Sequence, residues 1–239
     1  MRKMKKCEFD QEVRALSSAF ATLVSKGLES NGDNNNMASL IFWRLEEVDD
    51  PHYRGRSRIF LSHPPCLCRY DDGSMERSDF NISDITTTAE EEENLIELDE
   101  ASLSHISQSV LNDNMSMVEW IVNVCYSDVW SVPVMYFRCQ RIDGTTLTRS
   151  EVLHALQYSE SSGDSWDFVS EEEHPILGIP SFFLHPCQTS LLLNLLEDGL
   201  GDGKCAPGCL LLSWLSMVLP AIQYRITSEQ FACLQKYLT

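Results

Sequence analysis

One short stretch of the sequence, Leu-His-Pro-Cys-Gln at positions 184–188, combines residue types that can do covalent chemistry. The apolar segment 181–184 leads into it and predicts a strand, and the segment 189–196 that follows predicts a helix. Pro186 has no amide hydrogen and a fixed φ, so it ends strand pairing just before the cysteine. The sequence therefore predicts a cysteine at a strand-to-helix junction.

Cys187 is the candidate nucleophile of this chain. Thr189 or Ser190 is a suitable N-cap, which places the cysteine just outside a helix N-terminus, where peptide dipoles favour a thiolate over a thiol. His185, two residues earlier, is a candidate supporting group whose charge depends on its proton. The alternative is that Cys187 fills a core, because cysteine is often buried and the chain has nine of them.

Other chemistries find less support in the residue spacing. A cysteine hydrolase would need a histidine base beside the nucleophile, and the sequence leaves both His154 and His174 open for that role. The cysteine pairs at 66/68 and 205/209 do not match a common zinc site. The glycines at 199–203 lack the lysine-and-helix pattern of a phosphate-binding loop, since Lys204 is followed by Cys205 rather than by Ser or Thr. We therefore expect neither a metal nor a cofactor.

Composition narrows the class of protein and its partners. The 239 residues are 43% hydrophobic, which is typical of a globular chain, and 18 basic against 36 acidic residues leave a formal charge of −18. Such a charge argues against nucleic acid and anionic membranes as main partners. The basic N-terminus lacks the apolar core of a signal peptide, and no apolar run is long enough to span a membrane. The odd number of irregularly spaced cysteines favours free thiols in the cytoplasm.

Helix and strand patterns alternate in a way that predicts an α+β domain. Apolar residues with helical spacing predict an amphipathic helix over about 8–26 that packs onto a sheet: Phe9, Val13, Leu16, Phe20 and Leu23. Strand-like runs lie at 40–45, 58–62, 118–126, 132–141 and 181–184. The short connection between 126 and 132 predicts an antiparallel pair, with Val118, Trp120, Val122, Val124 and Tyr126 on the core face.

The rest of the chain predicts helices and loops around this sheet. Thr148 and Glu151 form a capping-box pattern that opens a helix to about Leu156. Further helices are predicted at 210–218 and 228–237, and loops at 31–36, 163–173 and 199–208. Together these patterns predict an antiparallel sheet with helices at both ends of the chain.

Residues 71–117 differ from their surroundings. This segment holds thirteen acidic residues and one basic residue, so it carries most of the net charge. It has little periodicity, which predicts an acidic, flexible insertion within a single domain spanning residues 1–239.

Five segments of the second half resemble the E2-like conjugating enzymes of autophagy, in particular the autophagy-related protein ten family. They occur in the right order between about Val118 and Pro220: Val132–Arg138, Asp143-Gly144 with Leu147-Thr148, Trp166-Asp167 with Glu173–Gly178, Phe182–Thr189 and Ser213–Ser216. The resemblance implies an E2-like fold and a transferase. It implies that Cys187 carries the ubiquitin-like modifier autophagy-related protein twelve as a glycyl thioester.

The resemblance also implies the partners. Autophagy-related protein seven would be the E1-like activating enzyme, and a lysine of autophagy-related protein five would be the acceptor in autophagosome formation. Ubiquitin E2 enzymes carry a His-Pro-Asn whose Asn supports lysine attack, whereas this chain has His174-Pro175-Ile176. The oxyanion and lysine-activating roles are therefore unassigned. A lipid-conjugating E2-like enzyme of autophagy, a cysteine hydrolase and an inactive binding module stay open as alternatives.

Trp130 lies in the predicted tip between two strands. A tip has little core to fill, and exposed large aromatics favour binding sites. We expect this residue either to dock a partner or to fold back onto its own sheet.

Overall fold

A computed structural model describes residues 3–27, 43–50, 57–71, 74–76, 116–156, 168–200 and 206–238. The predicted loop at 31–36, most of the acidic insertion, and the segments 157–167 and 201–205 lie outside these residues.

The described residues form five α-helices and seven strands. The helices are α1 Lys6–Gly27, α2 Arg149–Ala155, α3 Thr189–Leu200, α4 Cys209–Val218 and α5 Ser228–Leu238. The strands are β1 Arg44–Asp49, β2 Ser57–Asp71, β3 Ser74–Glu76, β4 Ser116–Ser127, β5 Val132–Arg141, β6 Val169–Glu173 and β7 Pro180–Leu184. The α+β prediction is confirmed.

Hydrogen bonding joins the strands in the order β1-β2-β4-β5-β7-β6, and β3 pairs with β2. The pairs β1–β2, β5–β7 and β6–β7 are antiparallel in their register. This order places β7, which leads into Cys187, between β5 and β6. The antiparallel sheet expected from the sequence is confirmed.

The chain groups into two compact units. One contains Met1–Pro65, Ile121–Arg138 and Tyr158–Thr239, and the other contains Cys66–Trp120 and Cys139–Gln157. The first unit includes the segment with Cys187. The second includes the β2–β3 hairpin, of which β3 and the last residue of β2, Asp71, lie inside the region predicted to be an acidic insertion. That 1–239 form one domain stays a prediction.

The stripe on α1 is buried as the spacing predicts. Phe9, Val13 and Leu16 have no exposed surface, and Phe20 and Leu23 are nearly as buried. Burial of each such side chain contributes roughly 1.5–3 kcal/mol. The helix packs against α4 and α5 as well as β1, so its partners are helices in addition to the predicted sheet.

The strands differ from prediction in four places: the first strand begins later, β2 extends to Asp71 beyond the predicted 58–62, β3 was not predicted, and β6 lies in a predicted loop. The first strand is Arg44–Asp49, which begins several residues later than predicted. The reason is that its charged sequence pairs with β2, from Arg44 opposite Ser62 to Asp49 opposite Ser57. The predicted loop at 163–173 is wrong over Val169–Glu173, which is β6. Val169 is the one apolar residue of this outermost strand, so the sequence gives no alternating signal there.

The β4–β5 hairpin and the capping box agree with prediction. β5 has the predicted bounds, and the predicted core face of β4 is buried except for the half-buried Tyr126. Asn123 and Cys125, on the opposite face of β4, are buried too, so both faces are covered there. Thr148 caps α2 by accepting the N–H of Glu151, and the Glu151 carboxylate accepts the N–H of Thr148 in return.

Candidate active site

Cys187 lies in a single 3₁₀ turn, Pro186–Gln188, between β7 and α3. Pro186 is buried while Cys187 is exposed. The buried proline fixes the backbone of the turn, and the cysteine thiol is presented to solvent. The predicted strand-to-helix junction is present. The alternative that Cys187 fills the core is wrong.

His185, rather than Thr189 or Ser190, caps this turn. Its Nδ1 accepts the N–H of Cys187 at 3.2 Å. Thr189 already has helical backbone angles, and its own N–H donates to the Pro186 carbonyl, because the turn continues directly into α3. Since Nδ1 accepts a hydrogen bond, the ring proton of a neutral His185 lies on Nε2. The cysteine Sγ lies 4.0 Å from the carbonyl oxygen of His185.

Trp130 packs edge-on against His185. The ring centroids are 5.2 Å apart and the planes meet at 73°, the T-shaped arrangement that aromatic pairs favour. Trp130 is 45% exposed, so it neither points freely into solvent nor enters the core. The structure brings together two residues that the sequence singled out separately, and one of them, His185, caps the turn that holds Cys187.

The β4–β5 turn holds Trp130 in this position. Ser131 adopts a left-handed conformation with a φ of 55° and donates its N–H to the Ser127 carbonyl at 2.7 Å. The N–H of Trp130 donates to Ser127 Oγ at 3.3 Å. These two hydrogen bonds fix the backbone of the turn, and therefore the position from which the indole of Trp130 extends toward His185.

A groove of about 370 Å³ begins at Pro186, next to the candidate nucleophile. Tyr136 and Phe183, which are paired across β5 and β7, line it together with Trp130 and Glu172. The Tyr136 hydroxyl donates to a carboxylate oxygen of Glu172. Burial first, and then the Glu172 carboxylate, raise the pKa of Tyr136, so the phenol stays a donor at physiological pH. The groove therefore holds a carboxylate that a hydrogen bond fixes, in a lining that reaches as far as Pro186.

His174, one of the two candidate bases, is occupied by local contacts. Its Nδ1 accepts the N–H groups of Ile176 and Leu177 at 3.3 and 3.1 Å, and its Nε2 lies 3.4 Å from Cys125 Sγ. Burial lowers the pKa of His174 to about 4, so the ring is neutral at pH 7. The imidazole holds the turn after β6, which is a structural role. The other candidate, His154, is exposed on α2 in the second unit.

Two classes of feature are not found within the described ranges. There the side chains form no group of three or more His, Cys, Asp or Glu suited to hold a metal ion. Cys68 and Cys205 of the two pairs weighed for zinc have no described side chain. Among the described helices, none has the length and apolar character needed to cross a bilayer.

Sequence reasoning missed Glu172 and Tyr136. Glu172 was hidden because β6 carries a run of glutamates and was interpreted as a loop. Tyr136 lay in a correctly predicted strand, but its register with Phe183 depends on pairing between distant segments. A polar aromatic in the apolar first part of the strand, 132–137, was the one local sign of a polar partner.

Comparison with known proteins places this site in a family. The family model described as autophagocytosis associated protein, active-site domain, matches residues 8–229. The ubiquitin-like-conjugating enzyme ATG10 of Homo sapiens is 34% identical over 110 residues, which cover 44% of this chain and 49% of that protein. The enzymes of the same name from Arabidopsis thaliana and Dictyostelium discoideum are 32% and 30% identical over 112 and 115 residues, covering 45% and 44% of this chain and 50% of each relative.

The chain spans about half the length of the curated relatives that it matches. The family model covers both α1 and the Cys187 turn, so the match includes the whole described site. The resemblance drawn from five sequence segments is confirmed. The chain belongs to the family of autophagocytosis associated proteins that share this active-site domain.

Proposed function

We propose that this chain is an E2-like conjugating enzyme of autophagy that works through a thioester on Cys187. In this proposal the modifier is autophagy-related protein twelve, delivered by the E1-like autophagy-related protein seven. The acceptor is a lysine of autophagy-related protein five, and the reaction takes place in the cytoplasm and serves autophagosome formation. The exposed thiol on a capped turn, inside the active-site domain of this family, is the observation that carries the proposal.

The first step is a thiol exchange. The Cys187 thiolate attacks the carbonyl carbon of the modifier's C-terminal glycine, which the E1 holds as a thioester. The new carbon–sulfur bond forms as the E1 cysteine leaves as a thiolate. The His185 cap supports this step because it fixes the Cys187 backbone, and therefore the direction from which Sγ attacks.

The second step is aminolysis of the Cys187 thioester. The lysine ammonium first gives a proton to solvent water, and the neutral amine then attacks the same carbonyl carbon. As the carbon–nitrogen bond of the amide forms, the carbon–sulfur bond to Cys187 breaks, the sulfur leaves as the thiolate, and the surplus proton of the nitrogen passes to solvent. Glu172 is suited to guide the incoming ammonium group, since its carboxylate lines the groove that begins at Pro186. Tyr136 keeps that carboxylate in place by its hydrogen bond.

The geometry around the histidines favours transfer over hydrolysis. A cysteine hydrolase needs a base whose nitrogen is free to take the thiol proton. Nδ1 of His185 accepts a backbone N–H, and both ring nitrogens of His174 have neighbours of their own. This arrangement supports an enzyme that receives an already activated acyl group.

The test is a charging assay with the purified chain, E1, ATP and modifier. We expect an adduct that DTT removes. Cys187→Ser should convert it to a DTT-resistant oxyester, Cys187→Ala should abolish it, and Cys7→Ala, which removes another exposed thiol, should charge normally. Normal charging of Cys187→Ala would refute the proposal. Thioester cleavage without E1 and ATP would indicate a hydrolase, and transfer to an amine-bearing lipid would indicate the lipid-conjugating relative.

A further inference from the structure

The segment just before α1 is fixed to the β4–β5 turn. Met4 is 1% exposed, and its backbone N–H donates to the carbonyl of Ser131 at 2.9 Å. Its own carbonyl accepts the hydroxyl of Tyr126 at 2.8 Å. Met4 therefore bonds to the β4–β5 hairpin through both of its backbone groups: its N–H bonds to the turn and its carbonyl to the end of β4. Its side chain is buried.

The contacts on either side of Met4 make this attachment rigid. The Tyr126 ring packs against Phe9 of α1, with ring centroids 5.8 Å apart. Ser131, which receives the Met4 N–H, has the left-handed backbone that closes the turn. A non-glycine residue holds this conformation at a cost in free energy, so hydrogen bonds that fix the turn matter to its shape.

The same turn places Trp130 against His185. Trp130 precedes Ser131 directly, and its indole lies edge-on to the imidazole that caps Cys187. Contacts thus run without a gap from Met4 through Ser131 and Trp130 to His185 and the thiol. Each link is a hydrogen bond, a covalent neighbour or an aromatic contact.

We propose that Met4 is a positioning residue for the chemistry at Cys187. It acts through the β4–β5 turn, which sets where Trp130 meets His185 and so how the Cys187 backbone is held. This inference rests on the proposed function. It assigns the segment before α1 a part in the reaction that goes beyond packing the helix.

The cleanest test is Tyr126→Phe, which removes the hydroxyl that holds the Met4 carbonyl but keeps the ring that packs on Phe9. Met4→Ala is a stronger perturbation and Met4→Leu a conservative one. We expect discharge of the charged thioester to free lysine to slow by roughly three- to tenfold in Tyr126→Phe, the size of one lost hydrogen bond. The lysine concentration that gives half of the maximal discharge rate should not change. Met4→Leu should keep most of the rate that Met4→Ala loses.

Tyr224→Phe is the matched control, because it removes another tyrosine hydroxyl, one that contacts His63 at 2.8 Å away from this turn. The ring-proton NMR shift of His185 reports the Trp130 contact directly. It should move in Tyr126→Phe and stay in Tyr224→Phe.

The outcomes separate the two proposals. A wild-type chain that never charges refutes the proposed function. If the wild type charges, but Tyr126→Phe matches Tyr224→Phe in discharge rate and His185 shift, the positioning role of Met4 is refuted. A fall in Tm with an unchanged rate per folded molecule would also overturn it, since a merely structural contact behaves in that way.

Discussion

The carboxylate of Glu12 accepts the backbone N–H of Leu211 at 2.9 Å, across 199 residues of sequence. Glu12 is buried on α1, and Leu211 belongs to the first turn of α4, where N–H groups have no partner within the helix. Gly208, the N-cap of α4, has a φ of 96° and offers no capping side chain. Glu12 therefore supplies from α1 the cap that α4 lacks in its own sequence.

Glu12→Gln and Glu12→Ala should have different effects on stability. Burial, partly offset by the α4 N–H groups, raises the pKa of Glu12. The folded state then binds more protons than the unfolded state, so stability falls as pH rises from about 4.5 through the raised pKa. The glutamine variant should lose this pH dependence and keep an acceptor. The alanine variant should lose about 1–3 kcal/mol because it leaves a buried N–H without a partner.

Urea unfolding from pH 4 to 8 measures both effects. Glu197→Gln, which changes an exposed glutamate on α3, is the control and should follow the wild type. Equal losses in both Glu12 variants would contradict the capping role.

Trp130→Ala should slow charging or transfer while Tm holds. The side chain is partly exposed and contacts His185, so its loss disturbs the neighbourhood of Cys187 more than the core. An aromatic pair of this kind is worth about 0.5–1.5 kcal/mol, which corresponds to roughly two- to twelvefold in rate. Ile142→Ala, another exposed apolar residue in a turn, should change neither rate nor Tm. Lost stability with normal transfer per folded molecule would assign Trp130 to packing.

Glu172→Gln should slow discharge to lysine and leave charging by E1 unchanged. The amide can still accept from Tyr136, but the negative charge that guides an ammonium group is gone, so we expect roughly a tenfold or larger loss. Glu171→Gln is a close control because neighbouring residues of a strand face opposite sides of the sheet. Equal rates for the two variants would exclude Glu172 from the transfer step.

His174→Asn should reduce the change of the free energy of unfolding with pH at acidic pH. With a folded pKa of about 4 against 6.5 unfolded, the neutral ring contributes stability that is complete above pH 6.5 and is lost as pH falls toward 4. The asparagine oxygen can replace Nδ1 as acceptor, so the turn should survive with a loss of about 1–3 kcal/mol at pH 7. His154→Asn makes the same exchange at an exposed position and should have little effect.

Charging distinguishes a structural His174 from a catalytic one. Thioester formation per folded molecule should persist in His174→Asn. Its complete loss at full folding would mean that His174 takes part in the reaction.

Deleting residues 79–109 and joining the ends with a short Gly-Ser linker should change Tm by less than several degrees. The composition of this acidic segment predicts few packing contacts, and closing a shorter loop costs little. A second variant that keeps the length but replaces the four glutamates at 90–93 by serine separates charge from chain length. A larger fall in Tm on deletion would show that the segment is structural.

Local sequence patterns were enough to predict the elements that carry Cys187. The apolar run at 181–184, the proline and the following helical pattern are local signals, and the structure has a strand, a 3₁₀ turn and a helix there. The apolar stripe of α1 and the β4–β5 hairpin could be predicted in the same way. Apolar side chains recur every 3.6 residues in a helix and every 2 in a strand, and this pattern can be recognised without knowing which element packs against it. The five family segments also lie in sequence order, so the family could be recognised before any contact was known.

The surroundings of the thiol, by contrast, depend on contacts between segments that are distant in the sequence. His185 capping Cys187, Trp130 meeting His185, and Met4 holding the turn are contacts of individual side chains or single backbone groups, and such contacts leave no periodic trace. The outermost strand β6 was missed for the same reason: its glutamates are all exposed, and pairing with β7 alone makes it a strand. Periodic burial is encoded locally, whereas a specific contact between distant segments depends on how the packed elements bring them together.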